Sequence, residues 1–324
     1  MPLLRTLIIC LFLSPSLLAA ADLSYVTVEG WLKPGQDLKT IGNAHGDVAV
    51  SSAGEVYVSV IGGPRGGIQV YDADGKYLRN VPNAPNDFHG FVIHQEADGE
   101  FIYGTRLGGQ SILKMTLDGK ILLNVPADMF PDELKNERNG KKFLRLTAVD
   151  VAPDGRIFAV DGYSTDIIHV FDQKGKYLNS FGGKKAPYKF KTLHKIAIDT
   201  RFDAPRIIGC DRENRRVVHL SLDGELLGIA ENLKRPAAAV IQGNLAIVAE
   251  IEGRVSFLDK ELKTVRTLGE NSVKEHTATN QVPPEKWIPG ELMAPHGLDF
   301  APDGDLLVTE YSRFGRVVRY ARQE

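Results

Sequence analysis

The feature that most constrains this chain is a repeat. An alternating apolar strand, a glycine turn, a second strand, a variable loop, a third strand, an Asp-Gly-Lys-like turn and a short fourth strand recur over six units. The first turns include Ala53-Gly54-Glu55, Asp98-Gly99-Glu100, Pro153-Asp154-Gly155 and Pro302-Asp303-Gly304. The later turns are Asp74-Gly75-Lys76, Asp118-Gly119-Lys120, Lys174-Gly175-Lys176, Asp223-Gly224-Glu225 and Asp259-Lys260-Glu261. Such turns between period-2 strands, as in residues 55–60 and 68–71, are hairpin signals. Units begin near Gly46, His89, Thr147, His194, Pro236 and His296. Six four-stranded units predict an all-β chain, a six-bladed β-propeller of four-stranded antiparallel blades. A pair of β-sandwiches is the alternative. The last unit ends after its third strand, residues 316–322. Its fourth strand is expected from the N-terminal segment 25–31, which would close the ring and cover a free edge.

Composition narrows the function. Of 324 residues, 43% are hydrophobic, enough to exclude a disordered chain. Lys plus Arg number 39 against 41 Asp plus Glu, so no basic excess is available to neutralise phosphates and a nucleic-acid partner is not expected. Arg5, the apolar run 7–13 and Ala19-Ala20-Ala21 read as a cleaved signal peptide over residues 1–21, which predicts a secreted or periplasmic protein. Residues 22–324 then form a single propeller domain with no membrane span, expected to be a monomer. Loss of Cys10 leaves Cys210 alone, so no internal disulfide can form.

Three histidines share one register. His296 is followed by Leu298 and Phe300 at +2 and +4; His89 precedes Phe91 and Ile93, and His194 precedes Ile196 and Ile198, in the same way. The equivalent positions in units one, three and five are Gly46, Thr147 and Pro236. Histidine therefore falls on alternate blades, a third of a turn apart, where innermost strands begin. Three imidazoles converging on the axis give a three-His face with open positions, the donor set of a catalytic zinc site, although imidazole also suits other divalent transition metals. His45 is one residue out of register and is expected to point elsewhere.

The loops between second and third strands reach the same end of the channel. They carry Arg65, Arg106, Tyr163, Arg212 and Tyr311. An arginine beside a dication suits a substrate carboxylate, and a tyrosine between the two is expected to have a lowered pKa and act as a base. Two long connections, 124–146 and 269–293, are expected to overhang the channel mouth, with a helical turn over 132–139.

Together these residues resemble the peptidyl-α-hydroxyglycine α-amidating lyases among the propellers of the NHL-repeat superfamily. The strongest matches are Cys210-Asp211-Arg212-Glu213-Asn214-Arg215-Arg216, Val160-Asp161-Gly162-Tyr163, His89-Gly90 and Pro295-His296-Gly297. The resemblance implies zinc on His89, His194 and His296, a catalytic Tyr163, and Arg212 and Arg65 on the substrate side. It implies cleavage of the N–Cα bond of a C-terminal α-hydroxyglycine, giving glyoxylate and a peptide amide. The family's structural calcium takes an Asp directly after the last zinc histidine; here Gly297 stands there, which makes calcium doubtful unless Asp47 substitutes. A non-catalytic propeller that binds a peptide, protein or glycan is the second reading. A calcium-based lactonase is the third, disfavoured by imidazoles in the ring.

Overall fold

The computed structural model describes residues 24–35 and 38–323, so the proposed signal peptide lies outside the described residues. Each repeat is a four-stranded antiparallel sheet whose strands follow chain order from channel to rim. The innermost strands are Val48–Val50, Phe88–Glu96, Ala148–Val151, Leu193–Asp199, Pro236–Gln242 and Pro295–Phe300. In blade 6 the sheet runs outward through Leu306–Glu310 and Arg316–Gln323 to the N-terminal strand Ser24–Val28. Ser24 pairs with Gln323 and Val28 with Arg319, so the chain's two ends close the ring.

Turn chemistry explains the hairpins. Asp72 accepts backbone N–H bonds from Asp74 and Lys76 at 3.0 and 2.9 Å, and Asp172 does the same for Lys174 and Lys176 at 2.9 Å each. Gly75 and Gly175 supply the left-handed step at φ 74° and 79°. The connection expected to hold a helical turn has one at Asp132–Leu134, a 3-10 turn. Its continuation differs: Asn136–Arg138 pairs with Lys141–Phe143 as a small extra hairpin.

The core is a set of wedges, one between each pair of neighbouring blades. Tyr57, Ile68 and Val70 of blade 1 pack on Phe91, Ile102 and Leu113 of blade 2. Phe257 and Val255 of blade 5 pack on Val308 and Tyr320 of blade 6, with Tyr25 of the N-terminal strand against Phe257. Val58 and Tyr71 of blade 1 meet Leu307 and Val317 of blade 6, which seals the last joint. Every blade thus buries both faces, the condition for a ring of flat sheets to be stable. Among the described residues, no helix is long and apolar enough to cross a membrane.

Carboxylates stitch neighbouring innermost strands. Asp299 accepts the Val50 N–H at 2.8 Å across the blade 6–blade 1 joint, and Asp150 accepts the Ile198 N–H at 2.7 Å across the blade 3–blade 4 joint. Burial pushes Asp150 up to about 6 and Asp299 up to about 7. The folded state therefore keeps protons that the unfolded chain releases above the ordinary carboxylate pKa of about 4. The contribution of these two carboxylates to stability is expected to fall as pH rises from about 4 to about 7, so Asp299→Asn should lose stability less steeply than wild type over that range in melts followed by circular dichroism. Deleting residues 22–28 is expected to lower the melting temperature and to bare the Arg316–Gln323 edge, seen as self-association on gel filtration.

Candidate metal centre in the channel

Each register histidine sits at a break in its ladder. Phe88 pairs with Arg106 and Gly90 with Thr105, leaving His89 as the extra residue. Leu193 and Lys195 flank His194 in the same way, and Pro295 and Gly297 flank His296. A bulge re-aims a side chain, and here three imidazoles meet. Their ring centroids are 5.0 Å (His89–His194), 4.9 Å (His89–His296) and 4.8 Å (His194–His296) apart. Blade 5 has the same bulge, between Pro236 and Ala238. Its equivalent position is thus Ala237 rather than Pro236; residues 236–241 are apolar throughout, so the +2 and +4 spacing fits either start.

The neighbouring blades fix the tautomers. His89 Nδ1 donates to the Thr147 carbonyl at 2.8 Å, His194 Nδ1 to Ala237 at 2.6 Å, and His296 Nδ1 to Gly46 at 3.0 Å. These acceptors are the register residues of blades 3, 5 and 1, so imidazole and carbonyl alternate around the ring. A carbonyl only accepts, so each Nδ1 carries the proton and each Nε2 a lone pair. Burial, first among several causes, holds all three histidines well below their ordinary pKa, and they stay neutral.

Three lone pairs face one donor. The Tyr163 hydroxyl lies 3.1 Å from His89 Nε2 and 2.9 Å from His194 Nε2. One hydroxyl proton serves one of them. His296 Nε2 is buried with no partner among the described residues. Buried acceptors without donors are costly, and a divalent ion is the group that would satisfy all three. The donor set fits a transition metal on its chemistry and on this unpaired nitrogen.

Burial raises the Tyr163 pKa, with the Arg212 guanidinium working against it. These are the protein's own groups; the lowered pKa expected from sequence includes a neighbouring dication as well. Arg212 Nη1 is 3.3 Å from the Tyr163 oxygen, and Arg212 is anchored by Glu213 at 3.0 Å.

Two expected arginines are held elsewhere. Arg65 Nη1 donates to the Pro34 carbonyl at 2.7 Å, and its guanidinium stacks 3.9 Å above the Tyr77 ring. Arg106 is paired with Asp87 at 2.9 Å. Neither side chain is brought to the imidazoles; loop length and local partners, not register, set where they go. Sequence reasoning missed Arg145. Its carbonyl accepts the Tyr163 N–H at 3.3 Å and its own N–H donates to Asp161, so the exposed guanidinium stands beside the Tyr163 loop, where its charge reaches both Tyr163 and His45. Its position in a long connection to a channel strand was the available signal.

His45 overturns its expectation. Its ring lies 4.9 Å from His89, 5.0 Å from His296 and 4.5 Å from Tyr311. Ala44 leaves its own blade to bridge Ser312 of blade 6, and that detour turns His45 inward. Among the described residues the metal-competent grouping is His45, His89 and His296, whose ligand atoms all lie within 4.8 Å of one another; His194 is not part of it.

Calcium does not fit below this layer. A Cβ on Gly297 would come 2.1 Å from Asp47 Oδ1, so the carboxylate there comes from blade 1. It is already ion-paired with Lys195 Nζ, which also donates to the His296 carbonyl at 2.8 Å. The ammonium holds the place a dication would need. The pair separates the imidazoles from a cavity of about 300 Å³ lined by Asp150, Asp299 and apolar strand residues.

A stretch of 133 residues is 29% identical to the "probable peptidyl-alpha-hydroxyglycine alpha-amidating lyase pgal-1" of Caenorhabditis elegans. The chain resembles that lyase. The match spans 40% of this chain and 35% of the relative's length. No family model matches. Among solved structures, a streptogramin B lyase superposes with a TM-score of 0.59 at 14% identity, covering 94% of this chain and 99% of that one. Virginiamycin B lyase from Staphylococcus aureus superposes at 0.57 and 13% identity, covering 92% and 98%. At those identities the likeness is one of fold.

Lys195→Met is expected to cost about 3–5 kcal/mol, because it leaves the buried Asp47 uncompensated. Adding Asp47→Asn, which keeps an acceptor for the Phe91 N–H, should recover most of the loss in urea unfolding.

Proposed function

We propose that this protein is a metal-dependent carbon–nitrogen lyase for a carbinolamide that bears a carboxylate, of the kind cleaved by the amidating lyases it resembles. The observation that carries the reading is the excess of aligned Nε2 lone pairs over donors at the Tyr163 hydroxyl. His89, His194 and His296 hold the ion, for which zinc is the first choice because neutral imidazoles with open positions suit it. Residues 1–21 are read as an export signal, which places the site outside the cytoplasm. Cys210, buried and with its thiol pushed up by burial, takes no part.

The bound metal supplies polarisation of the substrate hydroxyl and lowers its pKa. The remaining work belongs to the chain. The reaction breaks one C–N bond: the hydroxyl loses its proton, the carbon becomes an aldehyde, and the departing amide nitrogen gains a proton. Tyr163 is the group we assign to move that proton, since its hydroxyl lies within 3.1 Å of two Nε2 lone pairs, donating to one of them, and accepts from Arg212 Nη1 at 3.3 Å. Arg212 offers its guanidinium to the carboxylate of the substrate and then of glyoxylate. Its pairing with Glu213, itself held by Arg235 at 2.6 Å, keeps it oriented.

Incubating the zinc-loaded protein with a peptide ending in α-hydroxyglycine should release equal amounts of glyoxylate and peptide amide. Tyr163→Phe is expected to lower kcat by roughly 10²–10⁴-fold with the metal retained, as for loss of a positioned proton-transfer group. Arg212→Met should act chiefly on KM. A metal-loaded protein that releases no glyoxylate contradicts the assignment.

A further inference from the structure

Four imidazoles, not three, face this end of the channel, and the fourth has no part in the reading above. His45 stands 4.9 and 5.0 Å from the His89 and His296 rings, the spacing those rings keep from His194. The equivalent residue of every other blade is apolar: Phe88, Leu146, Leu193, Pro236 and Pro295. The two sides of the His89–His296 edge are also unlike. On one side the Tyr163 hydroxyl already sits between the His89 and His194 nitrogens. On the other, the ligand atoms of His45, His89 and His296 lie within 4.8 Å of one another, and His296 Nε2 is buried without a partner among the described residues.

We propose that His45 is a metal ligand, and that His89 and His296 form a shared edge on which an imidazole-seeking divalent ion is completed from either side, by His194 or by His45. The proposal rests on the metal reading of the site and adds a second position to it. Both faces consist of three neutral imidazoles, so each suits the same class of ion and leaves positions open. They differ in their surroundings: the His194 face meets Tyr163 and Arg212, while the His45 face meets Tyr311, whose ring is 4.5 Å away. An ion resting on the His45 face takes the His89 Nε2 lone pair and leaves the Tyr163 hydroxyl its hydrogen bond to His194 Nε2. The ion then need not leave the protein for that hydrogen bond to form.

Zinc affinity, measured by competition with a chromophoric chelator, and the spectrum of bound Cu(II), which counts coordinated nitrogens, test this on the whole chain. His45→Phe keeps a ring against Tyr311 and removes the nitrogens. His45→Phe and His194→Ala should each retain one ion, with affinity weakened about tenfold or more and an altered copper spectrum. The double variant should bind none. His89→Ala and His296→Ala break both faces at once and should lose stoichiometric zinc. Circular dichroism in the presence of a chelator checks that every variant is folded. The proposal is overturned if His45→Phe matches wild type in affinity and spectrum while His194→Ala alone abolishes binding. Wild-type protein that takes up no stoichiometric ion overturns the metal reading itself, and that result is distinct from the first.

Discussion

The site depends on one repeated hydrogen bond, Nδ1–H to the carbonyl of the next blade. It occurs at alternate joints, from His89 to Thr147, His194 to Ala237 and His296 to Gly46. Each bond ties two blades, fixes a tautomer and turns a lone pair to the axis. The geometry demands small residues nearby. A Cβ on Gly90 would come 2.4 Å from the Thr147 carbonyl oxygen, and one on Gly46 would come 1.7 Å from Ser59 Oγ. The same bonds that seat the imidazoles tie blade to blade at alternate joints, which couples folding to donor geometry.

Below that layer the channel changes character. The register position after the histidines carries Asp47, Gly90, Ala148, Lys195, Ala238 and Gly297. Four of these are small, and the two long ones come from opposite blades and form a buried ion pair across the axis. A cation held by protein carboxylate at this depth needs no bound ion to neutralise it. It also sets a positive charge near His296, which adds to burial in keeping the imidazoles unprotonated. Ligands that stay neutral in mild acid are ready for a metal without first losing a proton.

The fold was legible in the sequence because propeller blades are periodic and their turns chemically explicit. The +2 and +4 apolar spacing after His89, His194 and His296 placed all three at strand starts on alternate blades. What was not legible follows from two local effects. A strand that is apolar at every position leaves no alternation to count from, so blade 5 was counted from Pro236 instead of Ala237. Long side chains on loops go where partners lie: Arg65 to Pro34 and Tyr77, Arg106 to Asp87, whereas Arg145 is exposed beside the Tyr163 loop. His45 is a separate case, since its inward turn comes from the Ala44–Ser312 bridge, a contact between the first and last blades that no local pattern encodes.

X-ray absorption at the zinc edge of the metal-loaded protein probes the shared convergence of these imidazoles most directly. One ion per chain is predicted, with at least three imidazole nitrogens at about 2.0–2.1 Å and no sulfur ligand. A zinc signal dominated by carboxylate or water oxygens, or an ion held by fewer than two imidazoles, would show that the Nε2 atoms do not meet on a common metal, and would contradict the assignment of this channel as a metal centre.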